Sequence, residues 1–515
     1  MPRLKPSVAA CVLAAAYGVL AQPSVQLPSA NITGTALTYP GVTGATTANA
    51  YLGIPFAKPP QRFMPPVAQQ LSGDIDATQW KASLVSDGLA ALKQYGGNET
   101  SFFSAYNATQ SEDCLFLNIF TPAEACEPLP VLFSIHGGNL QTGSGSLAVF
   151  NGVPIAATKE VIVVTINYRV GVFGFVQSPE LKADEKNPGF LDQRMALAWV
   201  YENIAAFGGD PNAITIAGQS AGGYSVKQLL LNPPEPLSFR AAIMESQTLL
   251  APIDSWPALV GLTDCTTAPS QLACVQAVDA SLIAELSAKN MLYFPPAIDN
   301  VTNSAHAELA IATSPRVPIL TGTNGNEVAQ FFPDVNPAMA SALWTAVTGG
   351  RGPSFEQLYN SSLQSLDPYQ AVRRPLNQYA YTCRAKILSE RAAQTGHPTW
   401  RYFFNATFAN VDIAYPGENA HGASHGAELP LIFGTFPSQG SDEDQVRLGK
   451  YMQDTFIGFV KDPESSLRWP QVGGSEPYLL FVDNKSGPED TVVGNEVADF
   501  DCAPYEALLL ITGEV

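Results

Sequence analysis

Two histidines, His421 and His425, lie four residues apart in the segment ENAHGASHGAELP, which runs from residue 418 to residue 430. Three chemistries fit this segment: two zinc ligands on a helix, a G-x-S-x-G hydrolase nucleophile at 422–426, or one histidine that serves as a general base. The zinc motif requires a glutamate directly after the first histidine, where Gly422 stands, and glycines 417, 422 and 426 oppose a helix. The nucleophile motif requires a preceding buried strand, whereas residues 414–420 predict a loop. The segment therefore predicts a single general base.

A stronger candidate for a nucleophile is Ser220, in the sequence Gly218-Gln-Ser-Ala-Gly222. The apolar run 214–217 predicts a buried strand before it, and residues 221–231 have the apolar spacing of a helix. A strand-to-helix turn of this kind forces the serine into a strained, exposed conformation, and the flanking glycines relieve the crowding. Because a serine hydroxyl is a weak nucleophile at neutral pH, it needs a base that accepts its proton.

Acyl transfer also requires hydrogen-bond donors for the oxyanion of the tetrahedral intermediate, each worth about 3–4 kcal/mol of barrier. The backbone N–H of Ala221 is one donor that the turn itself supplies. The segment His136-Gly-Gly-Asn139 follows the apolar run 131–135 and is the expected source of the others. We interpret His136 itself as a structural turn residue.

The elements that would position these residues follow from the spacing of apolar side chains. Short apolar runs at 131–135, 161–167 and 214–217 predict buried strands, and apolar residues between Asp192 and Phe207 recur at helical spacing. Strands that alternate with helices predict βαβ units and a mainly parallel sheet, so the expected class is α/β.

The composition is that of a secreted globular protein. Of 515 residues, 46% are hydrophobic and 14% charged, so a large core can be buried. Arg3 and Lys5 precede an apolar run at 8–20, which predicts a signal peptide at residues 1–21. Removal of these two cations changes the formal net charge from −19 to −21, and such acidity disfavours nucleic acid and anionic membrane surfaces. No later apolar run is long enough to anchor the chain in a membrane.

Sequons and cysteines also fit a secreted protein. Seven N-x-S/T sequons begin at residues 31, 98, 107, 300, 360, 405 and 484 and predict a glycoprotein. Six cysteines remain after residue 21, and six thiols allow fifteen disulfide pairings. Pairing nearest neighbours first predicts Cys114–Cys126 and Cys265–Cys274 and leaves Cys383–Cys502. A metal site is disfavoured because no C-x-x-C pair is present.

Four further segments occur along the chain: YLGIPFAKPP at 51–60, EDCLFLN at 112–118, NYRVGVFG at 167–174 and NIAAFGGDP at 203–211. With the Ser220 motif, they resemble in kind and order the signatures of the type-B carboxylesterase, cholinesterase and fungal lipase family of α/β-hydrolases. The resemblance covers residues from about 50 to 435. It implies a secreted member of fungal type, with one α/β-hydrolase domain over 22–515. The expected fold has a large, mainly parallel central sheet, flanking helices and helical insertions over the active site.

The resemblance also implies a triad of Ser220, Glu327 and His425. The family's acid lies in a Gly-x-x-x-x-Glu turn after a strand, which matches residues 322–327, and it would orient the imidazole and stabilise its charged form. The family's base is followed by Gly, one residue, an acid and later Phe-Gly. This pattern selects His425, with Glu428 and residues 433–434, over His421.

Other positions match the family in supporting roles. The oxyanion donors carry over to the backbone N–H groups of Gly138, Asn139 and Ala221, and Ser246 matches a serine near the acid. Two ion pairs that the family buries for structural reasons match Arg62–Glu112 and Arg169–Asp192.

Four features depart from the family's pattern. Asn139 stands where a third glycine is usual, although its backbone donor is retained, and Gln219 replaces a common glutamate beside the nucleophile. No cysteine lies between residue 22 and Cys114, so Cys114 is assigned to Cys126 in place of the usual disulfide loop. No tryptophan lies between Trp80 and Cys114, where cholinesterases bind quaternary ammonium by cation–π attraction, so choline esters are disfavoured.

These features predict a secreted serine esterase that hydrolyses carboxylic esters through an acyl-enzyme, with neither cofactor nor metal. Its expected partner is a small-molecule or lipid ester. An interfacially activated triacylglycerol lipase is an alternative, because residues 74–110 hold enough apolar side chains for a mobile lid, although the same side chains fit an ordinary packed loop equally well. A non-catalytic adhesion or scaffold protein on the same fold is a further alternative, but all three triad residues are present.

Overall fold

The computed structural model describes residues 22–42, 44–84, 105–107, 109–249, 254–304, 310–331, 335–411, 422–474, 478–487, 491–499 and 501–512. The expected signal peptide, most of the segment considered as a lid, and His421 lie outside these residues.

Fourteen strands are present in this part of the chain. They are β1 (Ser24–Gln26), β2 (Ala30–Thr33), β3 (Thr35–Gly41), β4 (Gly44–Pro55), β5 (Gly73–Asp76), β6 (Phe116–Thr121), β7 (Leu129–Ile135), β8 (Ile162–Ile166), β9 (Gly209–Gln219), β10 (Ala241–Glu245), β11 (Ile319–Asn324), β12 (Thr399–Phe404), β13 (Tyr478–Val482) and β14 (Val492–Gly494).

Helices fill most of the intervals between the strands. The α-helices are α1 (Val153–Lys159), α2 (Gly171–Gly174), α3 (Pro188–Asn203), α4 (Ala221–Leu231), α5 (Trp256–Leu262), α6 (Gln271–Gln276), α7 (Ala280–Lys289), α8 (Pro337–Thr348), α9 (Phe355–Ser362), α10 (Pro368–Asn377), α11 (Cys383–Gln394), α12 (Leu429–Phe433), α13 (Glu443–Lys461), α14 (Glu496–Asp499) and α15 (Ala503–Thr512). Short 3₁₀ helices span Ala148–Phe150, Ala183–Glu185, Ile204–Phe207, Ile311–Thr313 and Glu327–Gln330, and a π-helical turn spans Gln378–Thr382.

The main sheet has eleven strands in the order β14-β13-β12-β11-β10-β9-β7-β8-β6-β4-β3, and β1, β2 and β5 form a small second sheet. The seven strands from β13 to β8 in this order are mutually parallel, whereas the pairs β13–β14, β8–β6, β6–β4 and β4–β3 are antiparallel. The expected α/β-hydrolase class is therefore confirmed, with a sheet that is mixed at its edges and parallel in its middle.

Both faces of the parallel strands are covered, as their unbroken apolar sequences predict. In β8, Ile162, Val164 and Ile166 pack in one core with α3 and α4, while Val163 points into a second core with α1 and α13. The alternation follows from the two-residue period of a strand. The helix expected between Asp192 and Phe207 is α3, and its last turn continues as a 3₁₀ helix.

Two disulfides join described residues: Cys265–Cys274, and Cys383–Cys502 between the start of α11 and the residue before α15. The predicted Cys114–Cys126 disulfide is wrong, because Cys114 is a buried free thiol. The two cysteines flank β6, whose six residues span about 20 Å.

Both ion pairs suggested by the resemblance are formed. Arg62 binds Glu112 with a closest contact of 2.5 Å, and Arg169 binds Asp192 at 2.7 Å with both side chains almost fully buried. None of the helices in the described ranges is both long enough and apolar enough to cross a membrane.

Candidate active site

The residues of interest follow four neighbouring parallel strands. In the register, Ile135 of β7 lies beside Gly218 of β9, Gln219 beside Glu245 of β10, and Glu245 beside Gly322 of β11. Because the carboxyl ends of parallel strands share one edge, the loops that follow these strands meet there.

Ser220 forms the turn between β9 and α4. Its backbone has φ 60° and ψ −125°, a region that a residue with a side chain rarely adopts. Glycine is required on both sides, because a Cβ on Gly218 would lie 2.4 Å from the backbone of Gly222, and one on Gly222 would lie 2.1 Å from the Ile135 carbonyl oxygen. The Ser220 N–H donates to the Glu245 carbonyl at 2.8 Å, which ties the strained turn to β10.

Glu327 and His425 are in direct contact. Nδ1 of His425 lies 2.6 Å from Oε2 of Glu327. The other carboxylate oxygen, Oε1, accepts hydrogen bonds of 2.6 Å from Ser246 Oγ and of 2.6 Å from the Asn324 N–H. Since both oxygens are engaged and the side chain is fully buried, Glu327 holds the imidazole in one orientation.

The loop that carries His425 is bound to the end of β11. The side-chain amide of Asn324 donates to the Ser424 carbonyl at 2.7 Å, and the Asn326 N–H donates to the Ala423 carbonyl at 3.0 Å. The rings of Phe331 and Tyr381 flank the imidazole, with centroids 5.2 and 5.0 Å away.

The second imidazole nitrogen contacts a residue to which the sequence analysis gave no such role. Nε2 of His425 lies 3.1 Å from Nε2 of Gln219, the residue before Ser220. Within the described structure, Gln219 and not Ser220 is the hydrogen-bond partner of this nitrogen. The only signal in the sequence was the replacement of the family's usual glutamate at this position.

The expected oxyanion donors lie on two loops at this edge. Gly138 and Asn139 have φ of 108° and 56°, so the chain turns sharply there, and asparagine tolerates this conformation better than most side chains. A Cβ on Gly137 would lie 3.0 Å from Cβ of Ser220, so the loop packs directly against the Ser220 turn. Ala221 is the first residue of α4, and its N–H therefore lacks an acceptor within the helix.

His136 has a structural environment. Its ring stacks on Tyr168 with centroids 4.3 Å apart, and its Nδ1 lies 2.8 Å from the Gly137 carbonyl oxygen. Burial lowers the pKa of His136 to about 4, so the ring is neutral near pH 7.

Two further carboxyl groups are buried close to this constellation. Burial, and then the charge of Glu327, raises the pKa of Glu428 to about 8. Glu428 accepts a hydrogen bond from the side chain of Asn324. Burial, and then Glu428, raises the pKa of Glu245 well above its ordinary value.

Comparison with known proteins adds to this geometry. The model of the carboxylesterase family matches residues 21–498. The chain belongs to the carboxylesterase family. Members similar to it include the para-nitrobenzyl esterase of Bacillus subtilis, 32% identical over 86% of this chain and 94% of the relative. Human cocaine esterase is 36% identical over 85% of this chain and 84% of its own length. Mouse acylcarnitine hydrolase is 38% identical over 84% of this chain and 82% of its own length.

Membership of the carboxylesterase family assigns the reaction class. The protein is a carboxylic ester hydrolase that acts on small-molecule esters.

Proposed function

We propose that this carboxylesterase is a serine esterase, in which Ser220 is the nucleophile, His425 the general base and Glu327 the residue that orients it. The observation that carries the proposal is the 2.6 Å contact between Glu327 Oε2 and His425 Nδ1, at the sheet edge where the strained Ser220 turn lies. Because Nδ1 donates to the carboxylate, the neutral imidazole has its acceptor lone pair on Nε2.

In the first half of the reaction, Ser220 Oγ attacks the ester carbonyl while its proton passes to His425 Nε2. The carbonyl oxygen becomes an oxyanion, which accepts hydrogen bonds from the N–H groups of Gly138, Asn139 and Ala221. When the tetrahedral intermediate collapses, the bond to the alcohol oxygen breaks and Nε2 returns its proton to the leaving alcohol. Water repeats the sequence on the acyl-enzyme, releasing the acid and restoring Ser220.

Ser246 supports this chemistry through Glu327. It donates to Oε1, so Oε2 remains directed at Nδ1 of His425. The carboxylate can then stabilise the imidazolium that forms when Ser220 loses its proton.

Substitution of the three residues tests the proposal. Ser220→Ala should abolish turnover of a short p-nitrophenyl ester, and His425→Ala should lower kcat by several orders of magnitude, both without loss of the folded far-UV spectrum. His421→Ala is the matched control, since it removes the neighbouring histidine and should leave hydrolysis largely intact. Substantial hydrolysis by the folded Ser220→Ala variant would refute the proposal.

Two finer points belong to the same proposal. We infer secretion after removal of residues 1–21, and the disulfides Cys265–Cys274 and Cys383–Cys502, which are typical of oxidising compartments, support this inference. N-terminal sequencing of secreted protein should therefore begin near residue 22. We favour an esterase over an interfacial lipase, so rates on esters of increasing acyl length should saturate smoothly below the substrate's solubility limit. A jump in rate above that limit would favour the lipase.

A further inference from the structure

The side chain of Gln219 is hydrogen-bonded to His425 Nε2, the atom on which the proposed mechanism depends. Its Nε2 lies 3.1 Å from His425 Nε2, while Nδ1 of the same ring faces Glu327 at 2.6 Å. An imidazole that donates through Nδ1 has a free lone pair on Nε2, and the amide N–H of Gln219 donates into it. This lone pair is the one that must accept the Ser220 proton.

We propose that Gln219 is a positioning residue that holds the Nε2 acceptor of His425 in the resting enzyme and competes with Ser220 Oγ for it. The inference rests on the proposed function of Ser220 and His425. Acylation then begins only after the Gln219 amide has left the imidazole.

The fold keeps the amide in place. Gln219 is the last residue of β9, and its side chain is only 5% exposed. A Cβ on Gly137 would lie 3.2 Å from Gln219 Oε1, so the loop that carries Gly138 and Asn139 packs against one side of the amide. On another side is a small cavity that Gln219 lines together with Glu245 and Phe433.

Charge explains why an amide at this position differs from a carboxylate. Five titratable groups from different elements interact electrostatically in this region: Glu327 after β11, Glu428 at the start of α12, Glu245 on β10, Tyr381 in the π-helical turn and Tyr402 on β12. Burial raises the pKa of Glu428 to about 8, and it raises the pKa values of Glu245, Tyr381 and Tyr402 well above their ordinary values. An amide at 219 adds no charge to this cluster, whereas a glutamate would add another carboxyl group to it.

Two substitutions separate competition from charge. Gln219→Met keeps the length of the side chain and removes its donor, and Gln219→Glu exchanges the donor for an acceptor. The matched control is Gln193→Met. Gln193 is another buried glutamine, and its amide donates at 3.0 Å to Ser225, which lies in α4 one turn after Ala221.

The readout is the second-order rate constant for inactivation by phenylmethylsulfonyl fluoride. In this reaction the Ser220 Oγ–S bond forms, the S–F bond breaks, fluoride leaves and the serine proton passes to His425. Gln219→Met should react about fivefold faster than the wild type, the factor that corresponds to one net hydrogen bond of about 1 kcal/mol. Gln193→Met should leave the rate unchanged.

The pH dependence is the second readout. A carboxylate at 219 favours a charged imidazole, so Gln219→Glu should move the acidic midpoint of kcat/KM upward by about one pH unit. A Gln219→Met rate equal to or below the wild-type rate, or an unmoved midpoint in Gln219→Glu, would overturn the inference. Persistent labelling of Ser220→Ala would instead refute the proposed function, so the two failures are distinguishable.

Discussion

Glu428 is expected to make the folded protein less stable as the pH rises from about 4.5 to about 8. Its side chain is fully buried, and Asn324 donates one hydrogen bond to Oε2. Oε1 has no hydrogen-bond partner among the described residues. Burial, and then the nearby Glu327, therefore raises its pKa from an ordinary value of 4.5 to about 8.

The sign of the effect follows from the protons bound in each state. Between these two pH values, the unfolded chain loses the proton of Glu428 while the folded protein keeps it. The stability associated with this proton is fully present below the unfolded pKa of 4.5 and is lost as the pH rises to the folded pKa of about 8. Each pH unit in this window removes about 1.4 kcal/mol, so the total loss is several kcal/mol.

Glu428→Gln tests this effect, because glutamine has nearly the same shape and does not titrate. We expect the variant's unfolding free energy, measured by urea titration with tryptophan fluorescence, to fall less steeply between pH 5 and pH 8 than that of the wild type. The difference in slope should approach about 1.4 kcal/mol per pH unit. The pKa of Glu245 is also raised in the folded protein, but this residue is present in both proteins. Parallel pH profiles for the two proteins would refute the assignment of a buried, protonated Glu428.

Three other substitutions have defined outcomes. Ser246→Ala removes the 2.6 Å hydrogen bond to Glu327 and should lower kcat on a p-nitrophenyl ester by about tenfold or more, since hydrogen bonds to charged groups contribute about 1.5–3 kcal/mol; an unchanged kcat would contradict the supporting role. Replacing both Cys383 and Cys502 by serine opens a cross-link between residues 119 apart in sequence and should lower the unfolding free energy by about 4–5 kcal/mol in urea; a loss below about 1 kcal/mol would contradict it. Asp192→Asn leaves Arg169 buried without its carboxylate and should lower the unfolding free energy by about 3–5 kcal/mol. Thermal melting measures this loss, and a clearly smaller loss would contradict the prediction.

Local patterns predicted the elements that carry Ser220. The apolar run 214–217 lies within β9, and α4 has the same bounds, 221–231, that the apolar spacing predicts. This agreement has a physical reason, because the strand, the glycines and the helix are neighbours in sequence. Glu327 is different, since a loop carboxylate has no local signal, and only the resemblance to a family singled it out.

Contacts that depend on packing could not be predicted in this way. Cys114 and Cys126 are close in sequence, but β6 separates them, so proximity along the chain predicted a disulfide that is not formed. The contact of Gln219 with His425 joins residues 206 apart and depends on the direction of two side chains. The departure at position 219 was visible in the sequence, but its partner was not.

The carboxyl groups around His425 differ in what donates to them, and this difference bears on the mechanism. Three groups direct hydrogen bonds at Glu327, namely Ser246, the Asn324 N–H and the imidazole itself. Glu428 and Glu245 are buried, and each has one oxygen that lacks a donor among the described residues. Burial raises the pKa of Glu428 to about 8 and raises that of Glu245 well above its ordinary value.

Of these three carboxyl groups, Glu327 is the one that contacts the imidazole. One negative charge at Nδ1 stabilises the imidazolium that forms when Ser220 gives up its proton. Additional charges would stabilise that imidazolium before substrate binds, and the free base would then be less abundant at moderately acidic pH. The neutral amide of Gln219 and the raised pKa values of Glu245 and Glu428 act in the same direction, because each disfavours a further negative charge near His425. We therefore expect the acidic midpoint of activity to rise when a charge is introduced at position 219, and to change little in Glu428→Gln, where the charge is already absent.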